Sequence, residues 1–151
     1  TAAGDGGYAL ALPVGIYTAT AEAWGYLPQT NAGLAVPVAG ELVHDFALAL
    51  APTGALKGVV TDLASHEPLT ATIAAAGTPA RTATDASGAY TLTLPAGSYT
   101  IGAHGPGHAP VVRSGQVITA GQTTTLDFAL PEGRFSFLPL TWQTRPDSMT
   151  R

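Results

Sequence analysis

The sequence predicts an all-β protein of two tandem antiparallel β-sandwich units, the first of them incomplete. Three features of its 151 residues carry that expectation: an internal repeat, short runs in which apolar and polar residues alternate, and turn residues placed between the runs.

The repeat sets the boundaries. Gly6-Gly-Tyr-Ala-Leu-Ala-Leu-Pro-Val-Gly-Ile-Tyr-Thr18 matches Gly88-Ala-Tyr-Thr-Leu-Thr-Leu-Pro-Ala-Gly-Ser-Tyr-Thr100. The register continues through Gly33 and Gly115, Phe46 and Phe128, and Leu48 and Leu130, each pair 82 residues apart. The second copy is whole: it opens with Ala55-Leu-Lys-Gly-Val-Val-Thr-Asp62 and runs through residues 70–75 and 80–84 into the matched region. The first copy lacks a counterpart of residues 55–82 and starts in mid-unit. The chain therefore divides into a truncated first repeat, 1–51, a complete second repeat, 52–131, and a tail, 132–151. A start without Met or a leader is what a processed or excised piece of a longer chain would have.

Strands follow from local pattern. Tyr90, Leu92 and Leu94 alternate with Thr91 and Thr93; Tyr99, Ile101 and Ala103 alternate with Thr100 and Gly102; Leu126, Phe128 and Leu130 alternate with Asp127 and Ala129. A period of two with one apolar face belongs to a strand packed against a second layer. Asp85-Ala-Ser-Gly88, Pro95-Ala-Gly97, Gly105-Pro-Gly107 and Ala120-Gly121 supply turns at short spacing. No stretch holds a helical period between its Gly and Pro residues. Several short antiparallel strands at this spacing argue a two-sheet sandwich.

Composition narrows the function classes. Hydrophobic residues make up 46% of the chain and charged ones 11%, well under the ~25% charged content of a soluble domain. That balance opposes disorder. Six basic residues, Lys57 the only lysine among them, cannot make the basic stripe that neutralises a run of phosphates, so nucleic acid is not an expected partner. No apolar run approaches the ~20 residues of a membrane span. Cysteine is absent, which removes disulfides, thiolate metal sites and thiol nucleophiles.

The motifs Leu56-Lys-Gly-Val-Val-Thr-Asp62, Pro68-Leu69 and Thr84-Asp-Ala-Ser-Gly-Ala-Tyr-Thr-Leu-Thr-Leu-Pro-Ala-Gly-Ser-Tyr-Thr-Ile101 resemble the carboxypeptidase regulatory-like domain. The resemblance covers residues 55–130 fully and 1–50 in part. It implies a seven-stranded transthyretin-like sandwich, with the first of two such units truncated. It also implies an extracellular module found beside peptidase, glycosidase or transporter domains or in arrays on bacterial surfaces, without catalytic residues or a cofactor of its own.

Candidate chemistry is sparse. His104 and His108 stand four apart, a metal-ligand spacing on a helix, but Gly105-Pro-Gly107 lies between them and the first copy has Glu22 and Tyr26 at the same places. Two loop histidines are the plainer reading. His44 falls in the inward phase of Leu42, Phe46, Leu48 and Leu50, opposite Leu126 of the second copy, as a core or sheet-margin residue. Ser65-His66-Glu67 holds the letters of a triad, but adjacent residues of an extended chain face opposite ways; a loop before Pro68 accounts for them. Asp5 and Asp85 satisfy their own turns more readily than they bind calcium. Tyr8, Tyr17, Tyr90 and Tyr99 sit in inward phase and are expected to fill cores. Trp24, Tyr26 and Trp142 remain for a carbohydrate- or peptide-binding surface, with packing between domains the simpler role.

The incomplete copy poses the one sharp functional question. About four of seven strands come from residues 1–50, and six or so large side chains losing ~1.5 to 3 kcal/mol each leave a deficit of about 10 kcal/mol, as large as a domain's net stability of ~5 to 15 kcal/mol. The missing strands must come from a fragment of the parent chain, the folded-back tail, or the tail of a second molecule. Arg134-Phe-Ser-Phe-Leu-Pro-Leu-Thr-Trp142 follows Pro131-Glu-Gly133 as Leu56 follows Pro52-Thr-Gly54, the place of a next repeat's first strand. Phe135, Phe137, Leu138, Leu140 and Trp142 are thus the expected donor residues, and Tyr8, Leu10 and Leu12 the acceptor edge. The expected function is a secreted or surface-bound structural or adhesive module that joins itself head to tail, with no enzymatic activity. The alternative is an accessory spacer or substrate-binding module of a secreted bacterial hydrolase.

Overall fold

The structure, a computed structural model, describes residues 6–133. Among them are strands and no helix. The first copy holds β1 (Gly15–Ala21) and β2 (Gln29–Val36). The second holds β3 (Thr53–Asp62), β4 (Thr72–Ala75), β5 (Arg81–Ala83), β6 (Ala89–Pro95), β7 (Gly97–His104), β8 (Val111–Ile118), β9 (Thr123–Thr125) and β10 (Phe128–Leu130).

The second copy is a two-sheet sandwich. In one sheet β3 is central, with β6 antiparallel on one side and β9 and β10 end to end on the other; the second sheet runs β5-β4-β7-β8. Counting β9 and β10 as one edge strand interrupted at Leu126 and Asp127, this makes the seven strands that the resemblance implies. The sandwich is antiparallel except where β9 and β10 run parallel to β3. The cause is the crossover: β8 ends on the far sheet, residues 119–122 cross the end of the sandwich, and the chain then runs in the direction of β3. Gly121 and Ala55 tie that crossover to β3 by backbone hydrogen bonds to Thr53 and Gln122.

Alternation places the core. Leu56 and Val60 of β3, Tyr90, Leu92 and Leu94 of β6, and Phe128 and Leu130 of β10 point inward from one sheet. Ile73 of β4, Ile101 and Ala103 of β7, and Ile118 of β8 meet them from the other. Burying such side chains contributes about 1.5 to 3 kcal/mol apiece, and together they form the core cluster of buried residues.

The first copy reproduces the geometry of its counterpart wherever its residues allow. β1 and β2 pair antiparallel with a register shift between Tyr17 and Ala19, as β7 and β8 shift between Tyr99 and Ile101. Gly33 (φ 76°) and Gly115 (φ 69°) sit in those bulges, where a left-handed backbone suits glycine. Tyr17 donates its hydroxyl to the Pro13 carbonyl at 2.9 Å, and Tyr99 does the same to Pro95 at 2.9 Å.

Two expectations are corrected here. Of about four strands expected in residues 1–50, only β1 and β2 form a ladder; the counterparts of β6, β9 and β10 do not. The physical reason is that β6, β9 and β10 all pair with β3, and residues 6–51 contain no segment equivalent to it. For the same reason Tyr8 does not fill a core. Tyr8, Leu10 and Leu12 are 43%, 65% and 42% exposed, whereas Tyr90, Leu92 and Leu94 are at 5%, 5% and 0%.

Candidate functional site

The apolar surface left uncovered in the first copy forms an open cleft of about 940 Å³. One wall is residues 8–12, which carry the predicted acceptor side chains Tyr8, Leu10 and Leu12. The floor is the inner face of the β1–β2 hairpin, where Tyr17, Ala19, Leu34 and Val36 project by strand alternation. The opposite wall is residues 41–48, with His44, Phe46 and Leu48 half-buried and Asp45 and Ala47 exposed. Sequence reasoning named the first wall as an acceptor and missed the second. Its signal was present in the 82-residue offset, which maps Leu42, His44, Phe46 and Leu48 onto Thr124, Leu126, Phe128 and Leu130.

The two walls are held together across the open space. Tyr8 donates its hydroxyl to the His44 carbonyl, and its ring lies 6.1 Å from that of Phe46 at 50°. The complete copy repeats both contacts: Tyr90 donates to the Leu126 carbonyl at 2.6 Å, and its ring lies 6.5 Å from that of Phe128 at 45°. Burial, with the Asp127 charge second, pushes the Tyr90 hydroxyl up to about 12, so it stays a hydrogen-bond donor. His44 is neither deep core nor free: its Nε2 accepts from the Asn31 amide at 2.7 Å, and its ring stands edge-on to Phe46 at 5.0 Å. In the complete copy the space between the corresponding walls is occupied by β3, with Gly58 opposite Tyr90, Leu56 opposite Leu92, and Val60 beside Phe128. The cleft is thus lined by the counterparts of residues that surround β3 in the complete copy.

The other sequence candidates fall elsewhere. Trp24 and Tyr26 flank Gly25 in the turn between β1 and β2 and are 46% and 43% exposed. Phe135, Phe137, Leu138, Leu140 and Trp142 lie outside the described residues, as does Asp5. Asp85 takes hydrogen bonds on Oδ1 from the Ser87 amide, the Ser87 hydroxyl and the Ala89 amide, which close its own turn. Ser65 and His66 belong to the tight turn after β3, His66 with a φ of 62°. Ser65 donates to Asp62, not to the neighbouring histidine.

Of the two histidines expected in a loop, one stands in a strand and the other in the turn that follows it. His104 is the last residue of β7, opposite Thr72 of β4. His108 turns away toward β3: its Nδ1 donates to the Pro106 carbonyl at 2.8 Å and its Nε2 to Asp62 Oδ2 at 2.9 Å. Sequence reading had no means to find this contact, because the partners are 46 residues apart and no local motif joins them. Among the described residues no group of three or more His, Cys, Asp or Glu side chains stands close enough to hold a metal ion.

The Asp62–His108 contact clamps the end of β3 to the turn after β7 and gives a pH dependence. Hydrogen bonds from the Ser65 amide first, then from His108 and the Ala64 amide, hold the Asp62 carboxyl well below its ordinary 3.8. The Pro106 carbonyl first, then Asp62, raise His108 above its ordinary 6.5. A lowered carboxyl stabilises the fold above 3.8 and loses that contribution as pH falls through its folded value. A raised histidine stabilises below 6.5 and loses its contribution as pH rises through its folded value. The clamp is therefore strongest between about pH 4 and 6.5. Thermal scans should show the second copy losing stability on going from pH 6 to 9, and His108→Gln should flatten that dependence. An unchanged slope in His108→Gln would contradict the assignment.

Comparison with curated protein sequences gives no match. The sequence profile of the carboxypeptidase regulatory-like domain matches residues 55–131. Among solved structures, the minor pilin of Streptococcus agalactiae is similar at 18% identity and a TM-score of 0.48, with 85% of this chain and 64% of that chain covered. A chain of a type II cohesin-X-dockerin complex of Acetivibrio cellulolyticus is similar at 16% identity and a TM-score of 0.45, covering 53% of this chain and 58% of that one. The TIE protein of Bacillus anthracis is similar at 20% identity and a TM-score of 0.41, covering 80% and 26%. The chain thus spans less than two thirds of each of these structures. No described helix is long and apolar enough to cross a membrane.

Proposed function

The chain belongs to the carboxypeptidase regulatory-like domain family through residues 55–131, and from that premise we propose that it is a non-catalytic structural or adhesive module of the cell exterior that works by strand complementation. The second copy is the self-sufficient body. The first copy is an acceptor, completed when an extended apolar segment lies between residues 8–12 and 41–48. Donation of the tail strand by a second molecule joins copies head to tail, a heterologous contact that propagates unless a ring closes.

One observation supports this reading above the others. The walls of the cleft keep the spacing and hydrogen bonding of the walls that grip β3 in the complete copy, Tyr8 to His44 matching Tyr90 to Leu126. An added strand would satisfy backbone groups along both walls and cover Leu10, Leu12 and Phe46 in one step.

Sedimentation of the whole chain at micromolar concentration tests it. Species larger than a monomer are expected, reduced to monomer by removal of residues 134–151 or by Leu10→Lys on the acceptor wall. A monomeric whole chain would overturn head-to-tail joining.

Exposed Trp24 and Tyr26 favour a second reading, an accessory module that attaches a secreted hydrolase to a carbohydrate or peptide. Its distinguishing result is binding to such a polymer that is lost in Trp24→Ala and retained in Leu10→Lys.

A further inference from the structure

On the strand-acceptor reading, the frame around β3 in the complete copy indicates which strand would fit the cleft.

In the complete copy β3 passes so near the interruption between β9 and β10 that a Cβ on Gly58 would lie 1.9 Å from the Leu126 carbonyl oxygen and 2.7 Å from its carbon. Both are backbone atoms and cannot swing aside. Three hydrogen bonds fix that approach. The Leu126 amide donates to the Lys57 carbonyl at 2.8 Å, the Leu126 carbonyl accepts from Tyr90 at 2.6 Å, and Asp127 Oδ1 accepts from the Val59 amide at 2.8 Å. The first copy has the same frame in place. Tyr8 is bonded to the His44 carbonyl, its ring is on Phe46, and Asp45 occupies the position of Asp127 on the cleft wall. A strand entering in the register of β3 must pass the His44 carbonyl at the residue that faces Tyr8.

We infer that the cleft takes a partner strand with glycine opposite Tyr8 and branched aliphatic residues two places to either side, the pattern of Leu56, Gly58 and Val60 in Thr53–Asp62. The partner's amide next after that glycine donates to Asp45, as Val59 does to Asp127.

The chain's own tail lacks this feature. Residues 134–151 contain no glycine. In the register set by Pro131-Glu-Gly133 matching Pro52-Thr-Gly54, Phe137 falls where Gly58 stands. Pro139, which has no N–H, falls where the Val60 amide donates to the Gly88 carbonyl at 2.8 Å. In that register the tail is expected to suit the cleft less well than a glycine-bearing strand.

Synthetic peptides test the inference against the whole chain. A peptide of residues 53–62 should bind, and the same peptide carrying Gly58→Ala should bind about tenfold or more weakly, the ratio for an added methyl forced into a packed contact. The tail peptide 134–142 should also bind more weakly than 53–62. In the Tyr8→Ala chain the preference for glycine should shrink, because the His44 carbonyl is no longer held in place. Equal binding of the glycine and alanine peptides, or tighter binding of the tail peptide, would overturn the inference and leave the acceptor reading standing. Failure of all three peptides to bind would overturn both. A monomeric chain that still prefers the glycine peptide would sustain the inference and remove head-to-tail joining.

Discussion

Phe128→Ala should cost about 3 to 5 kcal/mol of stability, whereas Phe46→Ala, the same residue 82 positions earlier, should cost about 1 kcal/mol or less. The contrast isolates the effect of a missing strand. Phe128 is 1% exposed, enclosed between Val60 of β3 and Tyr90, so truncation leaves a cavity in a packed interior. Phe46 keeps the aromatic neighbours Tyr8 and His44 but faces the open cleft, where water already reaches it and no sealed cavity can form. Urea titrations followed by far-UV circular dichroism measure both losses. Comparable losses for the two variants in the isolated chain would mean that the first copy is filled in solution. Bound donor strand should move Phe46→Ala toward the Phe128→Ala value.

Gly58→Ala is expected to be the most damaging Gly→Ala change among the described residues. The added carbon meets the Leu126 carbonyl at 1.9 Å, a backbone contact in the middle of the sheet. Relief requires β3 to part from the β9–β10 edge, which breaks the hydrogen bonds from Leu126 to Lys57 and from Val59 to Asp127 and uncovers Phe128. Overpacking of this kind costs ~1 to 3 kcal/mol where side chains can yield; with backbone on the far side we expect the upper end or beyond. For a unit of this size that is a fall in Tm of about 10 to 20 °C, read by calorimetry. Gly102→Ala serves as the control, since its Cβ would meet only Val112 at 3.9 Å. A small shift in Gly58→Ala would show that the edge strand moves freely and would weaken the case for a glycine-selective cleft.

The fold was legible because its signals are local and repeated. Alternation along residues 90–94, 99–103 and 126–130 marks strands without knowledge of their partners, and turn residues mark their ends. The repeat then counts the units. The position of Tyr8 was not legible in the same way. The apolar residues that follow it match those after Tyr90, Leu10 to Leu92 and Leu12 to Leu94, yet one ring is buried and the other lines a cleft. Burial of a strand residue is a property of what lies opposite, and β3 lies opposite only in the second copy. The clamp between Asp62 and His108 was hidden for a related reason: it joins the end of β3 to the turn after β7, and nothing in either segment announces the other.

By itself, then, the sequence determined an all-β chain and its period of 82 residues, because hydrophobic alternation and turn chemistry act over a few residues and are written in order. Only the tertiary structure decided that residues 8–12 and 41–48 face each other across an open cleft, joined by Tyr8 and the His44 carbonyl, and that in the complete copy Gly58 lies against the Leu126 carbonyl. Those depend on backbone approach between segments far apart in the chain, a distance that no run of letters encodes.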